Sequence, residues 1–401
     1  MSRITSLRTI RIDERPNLIW VEIETDEGLT GLGESFRGAQ AVEAAIHELA
    51  APLVLGADSR RIEAISRQLL TPYLGFHSVS AEVRAASAID IALWDLKGKR
   101  HGVPVHEALG GASRLEIRAY NTCAGYAYNT GSAQRREIGA DDAALDPYDD
   151  QVAFMRDAGA LAESLLSEGY AAMKIWPFDP FAANGGQSIT LTELKTGLEP
   201  FRKVRAAVGD RIDVMCELHS LWGMHAAERI CRALEDYGVF WVEDPLNKMD
   251  DAQGLADLRR RVKTPICGSE TLAGAASFRN LLAADAVDMV MLDVAWCGGL
   301  TEARKIASLA EAYNKPVAPH DCTGPVTLMA GLHLALHAPT AIFQEVVRAT
   351  LATWYRDLVT ELPVVNNGMV QAPRSPGLGL TLHPGVRGRG DAVVRESTHA
   401  A

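Results

Sequence analysis

No two cysteines in this 401-residue chain are spaced as CxxC. The six that occur, at positions 123, 216, 231, 267, 297 and 322, are scattered, and several fall inside apolar strand-like runs, where a free thiol behaves as a small apolar residue. This usage excludes a disulfide framework and a thiolate zinc site, and it reads as a reducing cytoplasm. Positive charge is in short supply: 40 Lys and Arg stand against 51 Asp and Glu, a net charge of −11. That balance argues against nucleic acid and against anionic membrane surfaces as partners. No apolar run approaches bilayer length, and the opening MSRITSLRTIRIDERPN has no apolar signal-peptide core. Low-complexity tracts and coiled-coil heptads are missing too, so the composition is that of an ordinary globule with a large core.

What is present is a period. The stretch 212–270 reads IDVMCELHS, a helix-like run, VFWVEDPL, a second helix-like run, then TPICGSETL. Its strand-like segments end on Glu217, Glu243 and Glu270, and the rhythm continues through Asp293, His320 and Glu345 at intervals of 23 to 27 residues. One strand and one crossover helix occupy about that length, and buried β-branched strands joined by helices argue a parallel sheet. Eight such units close into a barrel whose working face lies at the C-terminal ends of the strands. Strand 1 is read as EIRAYNTC and strand 2 as YAAMKIW. The excess between them, residues 125–150, is a polar Gly- and Asp-bearing loop suited to a lid or a dimer contact.

Residues 1–112 differ from the rest. ITSLRTIRI and LIWVEIET alternate as half-exposed strands, and helical patterns follow, the last closed by Gly102 and Pro104. This is an α+β domain ahead of a barrel over 113–362. Two of its loops, 31–40 and 73–80, could cap the barrel mouth. Residues 363–401 are turn-rich and expected to return to the N-terminal domain, ending in a loose tail, VRGRGDAVVRESTHAA.

Three carboxylates converging at a barrel mouth repel and need a cation. An all-oxygen ligand set points to a hard ion, Mg²⁺, which leaves positions open for a carboxylate substrate. The competing reading, an arginine-paired structural cluster, finds no Arg directly after these strand ends. Lys174 ends strand 2 and could hold a substrate carboxylate, or act as a base if its pKa is depressed. Trp176, Asn121 and Trp296 could line the pocket, or merely pack. His320 and Asp293 end adjacent strands; an Asp on one ring nitrogen makes a His a general base near neutral pH. His219, two residues past Glu217, comes from the opposite flank and suggests an acid partner. Glu345 would donate a hydrogen bond to a substrate oxygen if its neighbours kept it protonated.

These residues together resemble the enolase superfamily, mandelate racemase subgroup. SAIDIALWDLKGKRHGVPVHEALGG, WVEDPL and LDVAWCGGLTEARKIA look like segments of that family. The resemblance implies an α+β capping domain on a modified (β/α)7β barrel, one Mg²⁺ on Glu217, Glu243 and Glu270, His320 as base oriented by Asp293, Glu345 as electrophile, and commonly a homo-oligomer. It implies removal of the proton α to a substrate carboxylate. Two departures narrow it. Trp176 stands where the racemase has a second Lys, and His219 where it has Asn. The latter is similar to acid-sugar dehydratases such as galactonate dehydratase, in which that His protonates a departing 3-hydroxyl. The leading expectation is therefore a sugar-acid dehydratase. A racemase, epimerase or cycloisomerase is second, and a non-catalytic binding protein third.

Overall fold

The computed structural model describes residues 2–71, 80–126, 128, 148–183 and 185–399. Strands β1 (Ile4–Ile12), β2 (Leu18–Thr25) and β3 (Thr30–Phe36) form an antiparallel meander. The long helix Ala81–His101 lies across β3. Two glycines permit that approach: a Cβ on Gly33 would sit 1.9 Å from the carbonyl oxygen of Ala88, and one on Gly31 2.1 Å from that of Ala92. Gly102, at φ 67°, closes the helix. Most of the segment 31–40, expected as a loop, is therefore strand. Only Arg37 and Gly38 turn, both at φ 66°.

The barrel strands follow in order: β4 (Glu116–Thr122), β5 (Ala172–Ile175), β6 (Asp213–Glu217), β7 (Val242–Glu243), β8 (Ile266–Gly268), β9 (Met289–Asp293), β10 (Val317–His320) and β11 (Gln344–Val346). Each pairs in parallel with the next from β4 to β10, β11 pairs β4, and a bridge from Val317 to Ala341 links β10 to the lead-in of β11. Among the described residues seven α-helices alternate with these strands, the (β/α)7β pattern. The barrel is filled rather than hollow. Below the mouth, Tyr120, Trp241 and Phe343 meet edge-to-face at 5.5 to 5.8 Å, with Met215, Met291 and Ala318 around them.

The C-terminal segment first forms a hairpin, β12 (Val365–Asn366) and β13 (Met369–Gln371), with β13 antiparallel to β4. It then reaches the N-terminal region, where Leu378 N donates to Asp95 Oδ1 at 2.8 Å. The expected loose tail is not one. Residues Ala392–Thr398 are β14, paired along β1 from Ser6 to Ile12 to complete a four-stranded sheet in the order β14-β1-β2-β3. Apart from the half-buried Ala392 and Ser397 its residues are exposed, as suits an edge strand.

Two buried carboxylates tie the capping helix and sheet to the barrel. Asp90 accepts from Thr301 N at 2.9 Å and Thr301 Oγ1 at 2.5 Å. Glu34 accepts from Thr327 N at 2.9 Å and Trp20 Nε1 at 2.7 Å. Thr301 and Thr327 are each the third residue of the helix that follows β9 or β10 (Gly299–Ala312 and Pro325–His337), so each acid caps a barrel helix from another layer of the molecule. Among the described residues no helix is long and apolar enough to cross a membrane.

Candidate active site

A cavity of about 150 Å³ opens at the C-terminal ends of the barrel strands, roofed by Phe36, Arg37 and Arg84 of the N-terminal region. On its floor, oxygens of Glu217, Glu243 and Glu270 lie within 4.8 Å of one another. Glu217 and Glu243 end paired strands, and Glu270 lies two residues past β8. Trp241 Nε1 holds Glu243 Oε2 at 2.9 Å, and the His219 backbone N–H holds Glu217 Oε1 at 2.5 Å. Glu217 Oε2 and Glu270 Oε2 are buried without a hydrogen-bond partner. Burial and the charge of Glu217 push the Glu243 pKa far up, whereas His219, Glu243 and Lys174 overcome burial to keep Glu217 ionised. Crowded, partly unsatisfied carboxylates with no nitrogen or sulfur donor in the cluster fit a hard divalent cation.

Lys174, at the end of β5, bonds Glu243 and lies 3.0 Å from Glu345 Oε1 and 3.4 Å from Glu217 Oε2. Burial disfavours its charge, but Glu243, Glu345 and Glu217 outweigh it and raise the pKa well above the ordinary lysine value. A depressed pKa, one of two sequence expectations for Lys174, is overturned by this company. The same ammonium overturns the expectation of a protonated Glu345. Although burial opposes ionisation, Lys174 and His320 hold the Glu345 pKa down. Its oxygens accept from Thr122 Oγ1 and, at 2.7 Å, from Asp321 N.

β9 and β10 bring Asp293 and His320 into register, with His320 Nδ1 2.7 Å from Asp293 Oδ2. A carboxylate only accepts, so Nδ1 carries a proton, and Nε2 is the ring nitrogen that faces the cavity for proton exchange. Nε2 stands 3.2 Å from Glu270 Oε2. Burial works against charge on this imidazole, yet Glu270, Glu345 and Asp293 push it up to about 10, higher than the near-neutral base expected. Engaging Glu270 with a cation would remove the largest of those upward effects.

β6 is four strands from β10, so His219 faces His320 across the mouth. Its Nδ1 lies 2.9 Å from Asp179 Oδ2, a second His–carboxylate pair. Trp176 meets the His219 ring edge-on at 5.5 Å, and Trp296 lies 5.5 Å from the His320 ring; both indoles line the cavity. Asn121 does not. It is buried on the other face of β4, where it donates to Asp150 Oδ2 and accepts from Arg348 N, and Thr122 faces the cavity instead. Sequence reasoning missed Asp179, Asp244 and Arg84. Asp244 accepts from Ser220 and Ser269 through Oδ2, while its Oδ1 is buried without a partner beside the cluster. Its place next to Glu243 in WVEDPL was the available signal. Most of 73–80 and of 125–150 lies outside the described residues.

Comparison with known proteins adds the lineage. The family model of the mandelate racemase / muconate lactonizing enzyme N-terminal domain matches residues 6–110, and that of the enolase C-terminal domain-like region matches residues 157–386. The chain belongs to the mandelate racemase and muconate lactonizing enzyme family of the enolase superfamily. The crystal structure of an enolase protein from Sargasso Sea environmental sequencing is 60% identical with a TM-score of 0.89, covering 100% of both chains. One of the mandelate racemase subgroup from Agrobacterium tumefaciens is 48% identical, TM-score 0.87, covering 99% of each. D-xylonate dehydratase of Haloferax volcanii is 33% identical over 95% of this chain and 87% of its own length. D-galactonate dehydratase of Ralstonia nicotianae is 32% identical over 100% and 95%. Members of this superfamily generally use Mg²⁺.

Proposed function

We propose that this enzyme is a Mg²⁺-dependent dehydratase of a sugar acid. The observation that carries the reading is the pair of His–carboxylate couples, His320–Asp293 and His219–Asp179, on opposite flanks of one carboxylate cluster. His320 Nε2 takes the proton from C2, α to the substrate carboxylate, leaving an enediolate. Glu217, Glu243 and Glu270 would hold Mg²⁺, which would supply positive charge against which that dianion develops. Lys174, held charged, adds a cation beside it. Glu345, ionised, serves by fixing Lys174 and the Asp321 backbone rather than by donating a proton. As the C3–O bond breaks, His219 gives the departing hydroxyl a proton and water leaves. The enol takes a proton at C3 and becomes a 2-keto-3-deoxy acid, the substrate less one water. The dehydratases named among the relatives support this direction.

The same two histidines support a second reading, racemisation or epimerisation, because they stand where bases on both faces of C2 would stand. Proton NMR in D₂O with Mg²⁺ and a panel of aldonic and aldaric acids separates the two. A 2-keto-3-deoxy product supports dehydration, and deuterium at C2 without loss of water favours the second reading. His219→Asn should retain C2 exchange while elimination falls by about 10²–10⁴-fold. Loss of both would remove His219 from the acid role.

A further inference from the structure

The cavity holds more cationic charge than the floor uses. Lys174 is engaged by Glu243, Glu345 and Glu217. Arg37 and Arg84 line the roof, and among the described residues neither forms an ion pair with a carboxylate. Arg84 lies in the first turn of Ala81–His101. One of its Nη1 protons goes to the Arg37 carbonyl at 3.3 Å, which ties the two arginines together, while its Nε is buried without a partner. Burial pulls the Arg84 pKa down, and Arg37 pulls it further, with only Asp293 acting the other way. Elsewhere this chain supplies a buried guanidinium with acids: Arg348 is held by Asp150 at 2.7 and 2.9 Å and by Glu168 at 2.7 Å. A planar donor fork with one edge unpaired and no carboxylate partner among the described residues, inside a substrate cavity, is built for a carboxylate from outside.

Position says which carboxylate. Arg84 stacks over Trp296 at 5.2 Å, and Trp296 lies 5.5 Å from His320. From the floor outward the order is carboxylate cluster, base, indole, guanidinium. The substrate carboxylate next to C2 belongs on the floor, so an anion at Arg84 is at the far end of the molecule. We infer that the substrate is a diacid, a sugar acid carrying a carboxylate at both ends, with the far carboxylate received by Arg84 and flanked by Arg37. This rests on the dehydratase reading for the orientation of the near carboxylate. It makes Arg84 and Arg37 the residues that set substrate class.

The test uses matched pairs: galactonate, gluconate and xylonate, each against the aldarate formed by oxidising its terminal carbon. Binding is measured by calorimetry with Mg²⁺ in the His320→Asn protein, which stops turnover. The tightest ligand should be a diacid, and it should exceed its own aldonate by at least about tenfold. Arg84→Met in the same background should bring that ratio close to one. Arg37→Gln, at an exposed position, should lower it by about threefold. An aldonate that binds as tightly as its diacid, a ratio that survives both substitutions, or no binding by any diacid overturns the inference. Product formation by the unmodified enzyme is read separately. Absence of a 2-keto-3-deoxy product from any acid sinks the dehydratase reading, while the calorimetric ratio still decides whether two carboxylates are recognised.

Discussion

Glu34, Asp90 and Asp95, at the seam that the capping domain makes with the barrel and the C-terminal segment, are as deeply buried as Glu217 and Glu243 on the cavity floor, yet the two groups are satisfied differently. At the seam every carboxylate oxygen has a donor. Asp95 alone takes Leu32 N, Leu378 N and Lys99 Nζ, all within 2.8 Å. On the floor, Glu217 Oε2, Glu270 Oε2 and Asp244 Oδ1 accept no hydrogen bond, the first two meeting only ion-pair partners, Lys174 at 3.4 Å and His320 at 3.2 Å, and three acids lean on one lysine. Fixed backbone donors and helix N-termini make an acid part of the architecture. An acid left with open lone pairs beside its own kind is waiting for something that arrives. Residue type and burial do not separate the two cases; the inventory of donors does.

The comparison can be broken or sharpened in four ways, taken from the largest expected effect down. Glu243→Gln should lower dehydration by more than about 100-fold while the Mg²⁺-free melting temperature holds, since burial and Glu217 already disfavour a charge on Glu243. A large fall in that melting temperature would make the floor architectural after all. Mg²⁺ at about 100 times its Kd should stabilise the unmodified protein by about 2.7 kcal/mol in thermal melts, and Glu243→Gln should abolish the gain. At the seam the expectation reverses. Asp90→Ala strands Thr301 N and should cost about 2 kcal/mol of stability, read by calorimetry, with KM little changed.

The smallest effect is a slope. Burial pushes the carboxyls of Glu34 and Asp90 up to about 7. Their folded pKa values lie above the unfolded ones, so the stability they contribute is complete below the unfolded pKa. It declines as pH rises and is spent once pH passes about 7. Each contributes about 1.4 kcal/mol per pH unit in that window. Asp90→Asn, which keeps an acceptor for Thr301 N, should flatten the melting-temperature profile between about pH 4 and 7 relative to the unmodified protein. An unchanged slope would show that Asp90 is ionised when folded.

The barrel and its strand-end acids were legible because parallel strands write themselves as apolar runs and one βα unit has a nearly constant length. Where the reading failed, the missing information was three-dimensional. Asn121 and Thr122 differ by one pleat, and only the pairing of β4 with β11 shows which of them faces the cavity. Asp179 meets His219 across forty residues of chain. The ionisation of Glu345 turns on where a lysine side chain ends, which spacing along the sequence does not report. β14 was hidden for a different reason. An edge strand exposed along most of its length carries a weak apolar signature, and its partner lies at the far end of the chain.

That partnership also has a schedule. β1 is synthesised early and β14 late, so during translation β1 holds an open hydrogen-bonding edge for roughly 20–80 s at ordinary elongation rates. The barrel strands and their helices are all made within that interval. The capping sheet is thus begun first and finished last, and the nascent chain must guard one sticky margin until its final strand arrives to zip it shut.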